Sequence, residues 1–204
     1  MELVIKENRS KFGFDLNGIK TQQRKEVFDI FPPFLKKEMF GKVLEIGTHH
    51  GGFSSYLYEL SKTYGFIFKT YDIDDYLTSV RKAYGKVPFD FTQTDVWNGE
   101  GKDNIIEEIS DDKKCLVLID GGDKNKEFNI YAPFLKLGDI IMTHDYAPNR
   151  KYFNNHIFKK KWLYLESWDD KLEWKRNNLS KAYPQFQDVV WSCFRKIEKN
   201  HTFF

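Results

Sequence analysis

The feature that most limits how this chain can fold is a short aliphatic run, Lys42–Ile46, that stops at Gly47 and continues through Thr48, His49, His50, Gly51 and Gly52. A run of this length, bounded by glycine, reads as a strand, and the glycines permit backbone conformations closed to other residues. Beyond them Phe53, Tyr56, Leu57 and Leu60 recur at helical spacing, so the next segment should lay one helical face on a sheet. Strand, glycine loop and helix in that order open a parallel α/β sheet, which holds ligands beyond the carboxyl ends of its strands. The spacing is Gly-x-x-x-Gly, whereas a dinucleotide site prefers Gly-x-Gly-x-x-Gly with helix amides facing a pyrophosphate. Glu45, two positions before the first glycine, suits a cationic aminoacyl group better than a diphosphate.

The same alternation of short apolar runs and longer amphipathic stretches continues along the chain. Further candidate strands are Phe66–Tyr71, Pro88–Gln93, Cys115–Ile119, Ile140–Thr143, Trp162–Leu165 and Val189–Phe194. The expected fold class is therefore α/β, a Rossmann-like three-layer sandwich with a seven-stranded, mostly parallel sheet and helices on both faces. A length of 204 residues suits one domain. Within it, residues 1–40 should form a helical cap, 41–146 the ligand-binding core, and 147–204 a lid and the final strands. Ile19 to Met39 reads as a helix broken at Pro32 and Pro33, because proline lacks an amide donor and collides with the preceding turn. Pro133 should end a second helix before Gly138. Ala147 to Lys161, with Pro148, Asn149, Asn154 and Asn155, reads as an irregular loop over a site.

Composition excludes several classes of function. No stretch approaches the ~20 apolar residues of a membrane span, and the charged N-terminus lacks a secretory signal, so a soluble, cytoplasmic protein is expected. Cys115 and Cys193 have no ligand spacing and read as buried free thiols. With 32 basic and 30 acidic residues, the net charge of +2 gives no footprint for nucleic acid, and Lys159, Lys160 and Lys161 read as a solvated helix end.

Acids recur at the ends of successive strands. Asp72 closes the second, where a carboxylate can accept hydrogen bonds from both hydroxyls of a ribose. Asp95 closes the third and can accept from an adenine amino group, with Val96 or Trp97 against the ring. Asp120 and Asp123 follow the fourth, and His144 and Asp145 follow the fifth. A purely structural reading has these last four capping helices and turns.

In this order the residues resemble class I S-adenosylmethionine-dependent methyltransferases, most closely the branch of cephalosporin-hydroxylase-like proteins and macrolide or sugar O-methyltransferases. The resemblance covers roughly residues 13–146 and includes Gly18, Ile19, Lys20, Gln22 and Gln23, where the chain of such proteins folds over the cofactor. It implies that Glu45, Gly47, Thr48 and Gly51 surround the methionine part of the cofactor, Asp72 the ribose, and Asp95 with Val96 the adenine, with Asp120 also near the cofactor. Metal-dependent relatives hold magnesium at the positions of Asp120, His144 and Asp145. Imidazole suits manganese, iron or zinc better than magnesium, so the metal, magnesium or manganese, stays open. Some sugar-modifying relatives carry a general base three positions after the metal acid, where this chain has Asp123; the catalytic set so implied is Asp120, Asp123 and His144.

The expected function is methyl transfer from S-adenosylmethionine to a hydroxyl of a small molecule. A sugar or glycan acceptor is implied by the resemblance alone, and a homo-oligomer is compatible with it. Two rivals remain at this point: a metal-dependent hydroxylase on the same fold, and a non-catalytic cofactor-binding module. The His49 and His50 rings, His156 and the aromatics Tyr146, Tyr152, Phe153 and Trp168 are secondary candidates around the acceptor.

Overall fold

The computed structural model describes residues 5–7, 14–158 and 165–198. A small antiparallel sheet leads the chain, made of β1 (Ile5–Glu7), β2 (Phe14–Leu16) and β3 (Ile19–Thr21). The β2–β3 turn is Asn17-Gly18, both at positive φ (51° and 82°), the pairing that two-residue hairpins favour. After α1 (Val27–Glu38) come β4 (Lys42–Ile46), α2 (Gly52–Tyr64), β5 (Ile67–Asp72), α3 (Thr78–Tyr84), β6 (Asp90–Gln93) and α4 (Gly99–Ser110). The second half runs β7 (Cys115–Ile119), α5 (Lys124–Tyr131), β8 (Ile140–Thr143), β9 (Tyr146–Ala147), α6 (Arg150–Phe158), β10 (Ser167–Trp168), β11 (Leu179–Lys181) and β12 (Phe194–Lys196).

Seven strands form the central sheet in the order β11-β12-β8-β7-β4-β5-β6. Strands β8, β7, β4, β5 and β6 are parallel, while β12 runs antiparallel to β8 and β11 antiparallel to β12. Every residue of β4 and β7 is buried, because helices cover both faces. Leu116 and Leu118 join α1 and α2 in one hydrophobic cluster, whereas Cys115, Val117 and Ile119 join α4 and α5 in the other, so alternate residues of one strand serve the two layers. The expected three-layer α/β fold is what the chain adopts.

Several local expectations change. The segment 19–39 is not one broken helix: it begins as β3, and α1 then runs through Pro32 and Pro33 without interruption. Proline 32 cannot donate to the carbonyl of Phe28, and the Tyr56 hydroxyl donates to that oxygen instead, at 2.9 Å. Pro133 behaves as expected, ending α5 in a short 3-10 turn at Ala132–Phe134. The segment after Ala147 is not an irregular loop, since Arg150–Phe158 is helical, with Asn149 Oδ1 accepting from the Tyr152 amide at 2.8 Å. The run at Val189 forms the end of a 3-10 turn, and its strand begins only at Phe194. Most of the candidate strand Trp162–Leu165, and the Lys159–Lys161 cluster, lie outside the described residues; β11 is the seventh strand. Cys115 and Cys193 are buried and unbridged. Among the described residues no helix is long and apolar enough to cross a membrane.

Candidate functional site

The strand order reverses between β4 and β7, and the crevice at such a switch point is where open α/β sheets hold ligands. The register brings the critical residues level there. Ile46 pairs with Ile119, the Asp120 amide donates to the Ile46 carbonyl at 2.7 Å, and the His144 amide donates to the Ile119 carbonyl at 2.9 Å. A cavity of about 1030 Å³ opens over these strand ends, near the upper end of the ~300–1,000 Å³ typical of small-molecule sites. Glu45, Gly47, Thr48, Gly51, Asp72, Asp120, His144 and Asp145 all line it.

Two glycines make the cavity floor possible. Gly47 has φ +101°, and a Cβ there would lie 2.4 Å from the Asp120 carbonyl; at Gly52 a Cβ would lie 2.2 Å from the carbonyl oxygen of Lys20. Strand β3 therefore crosses the start of α2 at backbone contact, which brings Gln22 and Gln23 into the cavity wall. Glu45 is buried beneath the loop, accepting from the hydroxyls of Ser54 and Thr70. Its burial, opposed by those two hydroxyls and reinforced by Asp120 and Asp72, pushes its carboxyl up to about 8. Asp72 is held at the cavity edge by the backbone amides of His49 (2.7 Å) and Asp74 (3.2 Å). His49, His50 and Tyr76 cluster beside it, with the two imidazole centroids 4.1 Å apart.

Under β7 and β8 the polar groups interlock. His144 Nδ1 lies 3.0 Å from Asp120 Oδ1, and Gln23 Nε2 donates to Asp120 Oδ2 at 2.8 Å. Gln23 is itself fixed by the indole of Trp191, which donates to its Oε1 at 2.8 Å. His144 is buried against the Trp191 ring, and its Nε2 has no hydrogen-bond partner. Burial alone would lower the imidazole's pKa, but the Asp120 and Asp145 carboxylates raise it on balance. Asp145, at φ +53°, has its pKa raised by burial against the opposing charges of His144 and Lys124. One ligand-type atom from each of Asp120, His144 and Asp145 falls within 4.8 Å of the others.

The ammonium of Lys124 enters this cluster from the first turn of α5. Its Nζ lies 2.8 Å from Glu166, 3.0 Å from the Gly121 carbonyl, 3.2 Å from Asp145 and 3.9 Å from Asp120. Glu166 and Trp191 carry no motif in the sequence; only the fold brings them back to this cluster. Lys124 sits four residues after Asp120 in a visible position, yet a lysine at a helix start reads as solvent-exposed.

Three expected site residues lie apart from the cavity wall. Asp95 closes the turn into α4, accepting from the Trp97 amide at 2.8 Å and from Asn98 at 3.2 Å. Val96 is buried, its carbonyl bonded by the Tyr131 hydroxyl. Asp123 caps α5 by accepting from the Lys126 amide at 3.0 Å. The indole of Trp97 stands next to Gly122 at the cavity rim and donates to Glu127 at 3.1 Å. Among the described residues Glu127 is a further buried acid, pushed up to about 7 chiefly by burial, with Oε2 unpartnered.

No protein-family model and no curated protein matches the sequence. Solved structures do match. The chain is similar to an apo structure of CmcI at 14% identity and a TM-score of 0.62, covering 90% of this chain and 76% of that one. CmcI with S-adenosylhomocysteine gives 15% identity, a TM-score of 0.59 and coverage of 94% and 87%; its complex with magnesium and S-adenosylmethionine gives 15%, 0.58, 89% and 75%. A putative caffeoyl-CoA O-methyltransferase from Staphylococcus aureus matches at 15% identity and a TM-score of 0.55, covering 84% of each chain. At these identities the likeness concerns the fold: the chain shares the Rossmann-like α/β architecture of these proteins.

Proposed function

We propose that the protein transfers a methyl group from S-adenosylmethionine to a hydroxyl of a small molecule, with a sugar or glycan as the favoured acceptor. The observation that carries this reading is the cavity at the strand switch point, whose wall joins the Glu45–Gly52 loop, Asp72 and Asp120. On this reading Glu45 and the loop backbone from Gly47 to Gly51 receive the aminoacyl end of the cofactor, and Asp72 binds its ribose. The adenine lies toward Gly122 and Trp97, with Asp95 and Val96 forming the turn that supports that edge. The fold likeness to structures holding S-adenosylmethionine and S-adenosylhomocysteine supports the choice of cofactor.

The sulfonium activates its own methyl group, so the protein has to align an acceptor oxygen for in-line attack, exclude water and take up a proton. Asp120 is the proton acceptor in this account. His144 Nδ1 and Gln23 Nε2 fix its two oxygens, so the carboxylate keeps one orientation when the acceptor arrives. Asp123 is assigned no proton transfer, because it is engaged as the cap of α5. The outer wall carries Lys25, Glu26, His49, His50, Tyr76 and Glu166, a polar lining suited to a polyhydroxylated acceptor.

Incubation with radiolabelled S-adenosylmethionine and a panel of sugars, glycosides and catechols tests the assignment. Label should appear on a hydroxyl acceptor, and Asp120→Asn should lower turnover by about 100-fold or more, the scale of losing a positioned base, while circular dichroism stays unchanged. An Asp120→Asn enzyme with full activity would remove Asp120 from the chemistry.

A further inference from the structure

The fold's likeness to a magnesium complex raises the question of whether Asp120, His144 and Asp145 suit a resident metal. Their own contacts argue otherwise. The two oxygens of Asp120 receive His144 Nδ1 and Gln23 Nε2, so the imidazole nitrogen that faces the carboxylates is already engaged by Asp120. Most of the remaining negative charge faces Lys124. The ammonium donates to Glu166 at 2.8 Å and to the Gly121 carbonyl at 3.0 Å, with Asp145 at 3.2 Å and Asp120 at 3.9 Å as ionic neighbours. The lysine side chain is only 7% exposed. A divalent ion on the same carboxylates would sit beside a buried like charge, a repulsion that a low-dielectric site strengthens.

We propose that the Lys124 ammonium is the resident cation of this site, balancing Asp120 and Asp145 in place of a divalent metal. Fixed positive charge next to the cavity then orients the acceptor oxygen, which approaches Nζ from the side of Glu166. Glu166 is the replaceable partner: its side chain is 43% exposed, against 18% for Asp120 and for Asp145. A hydroxyl oxygen that takes its place gains a charge-assisted hydrogen bond that strengthens as the oxygen loses its proton to Asp120. The part of this account that concerns the acceptor rests on the methyl-transfer reading; the charge balance does not.

The test is a manganese titration of the full chain stripped with chelator, followed by electron paramagnetic resonance and calorimetry, with and without S-adenosylhomocysteine. Wild type should show no site tighter than about 1 mM, Lys124→Gln should gain manganese affinity by about tenfold or more, and Lys124→Arg, which keeps the charge, should gain none. One equivalent of manganese bound by wild type at micromolar concentration overturns the proposal, as does a folded Lys124→Gln variant that gains no affinity. If Lys124→Gln does not fold, the wild-type titration decides alone. Since metal binding is read without turnover, a negative result here is distinct from failure to bind S-adenosylhomocysteine, which would count against the methyl-transfer reading instead.

Discussion

Glu45 shows how much a single residue is bent by its setting. The acid sits on a strand buried on both faces, and among the described residues two hydroxyls, those of Ser54 and Thr70, donate to it. Its carboxyl rises from 4.5 to about 8, so the folded protein holds a proton there that the unfolded chain has released. Stability contributed by this group is complete below the unfolded value and is lost as pH rises through the folded one. Melting temperature should therefore fall between about pH 5 and about pH 8, and Glu45→Gln, which cannot ionise, should flatten that fall; scanning calorimetry across the range checks it. An equally steep fall in the variant would assign the pH dependence to other groups, Glu127 first among them. Residue by residue, the sequence shows which acids end which strands, and Glu45, Asp72, Asp120, His144 and Asp145 do meet at one cavity. Of their partners, Gln23 was legible only as part of the segment expected over the cofactor, and Glu166 and Trp191 not at all. Gln23 reaches Asp120 from 97 residues away, Glu166 reaches Lys124 from 42 and Trp191 reaches Gln23 from 168, and no local pattern encodes these meetings.

At the scale of elements, α1 explains why a rule about proline gave the wrong outcome. Two consecutive prolines normally end a helix because they strand carbonyls as well as clash with them. Here the Phe28 carbonyl stranded by Pro32 is taken by the Tyr56 hydroxyl from α2, a tertiary contact that overrides the local preference. Tyr56→Phe removes only that hydroxyl and should destabilise the fold by about 1–2 kcal/mol, the cost of an unsatisfied buried carbonyl, as measured by urea unfolding. No change in stability would mean that α1 tolerates Pro32 without the bond. Elements whose identity depends on period and length, such as β4, β7 and β8, were legible to the residue. The Asn17-Gly18 hairpin carried its own turn signal and could have been found, since β2 and β3 flank a dipeptide suited to positive φ. The late strands were harder: β11 and β12 are three residues each, too short for any periodicity to register.

The whole molecule converges on one edge of one sheet. The β2–β3 hairpin crosses the start of α2 and delivers Gln22 and Gln23, the central strands deliver the loop acids, and the chain after β9 returns Leu165, Glu166 and Val190 to the opposite wall. At the end of α1, Glu38 ties that helix to the central sheet and to the late chain: it pairs with Lys114 before β7 and with Arg195 on β12 and accepts from Tyr183. Burial works against its ionised form, yet Arg195, Lys114 and Tyr183 hold it down at about 2, so this junction keeps its charge at neutral pH. A cavity assembled from such distant segments has one purpose in this account, which is to hold S-adenosylmethionine beside an acceptor. Calorimetric titration with S-adenosylhomocysteine tests that claim most directly. The account predicts one equivalent bound with a dissociation constant of roughly 1–100 μM, weakened by about tenfold or more in Asp72→Ala through loss of a charged hydrogen-bond partner; no binding up to about 1 mM, or affinity unchanged by Asp72→Ala, would contradict it.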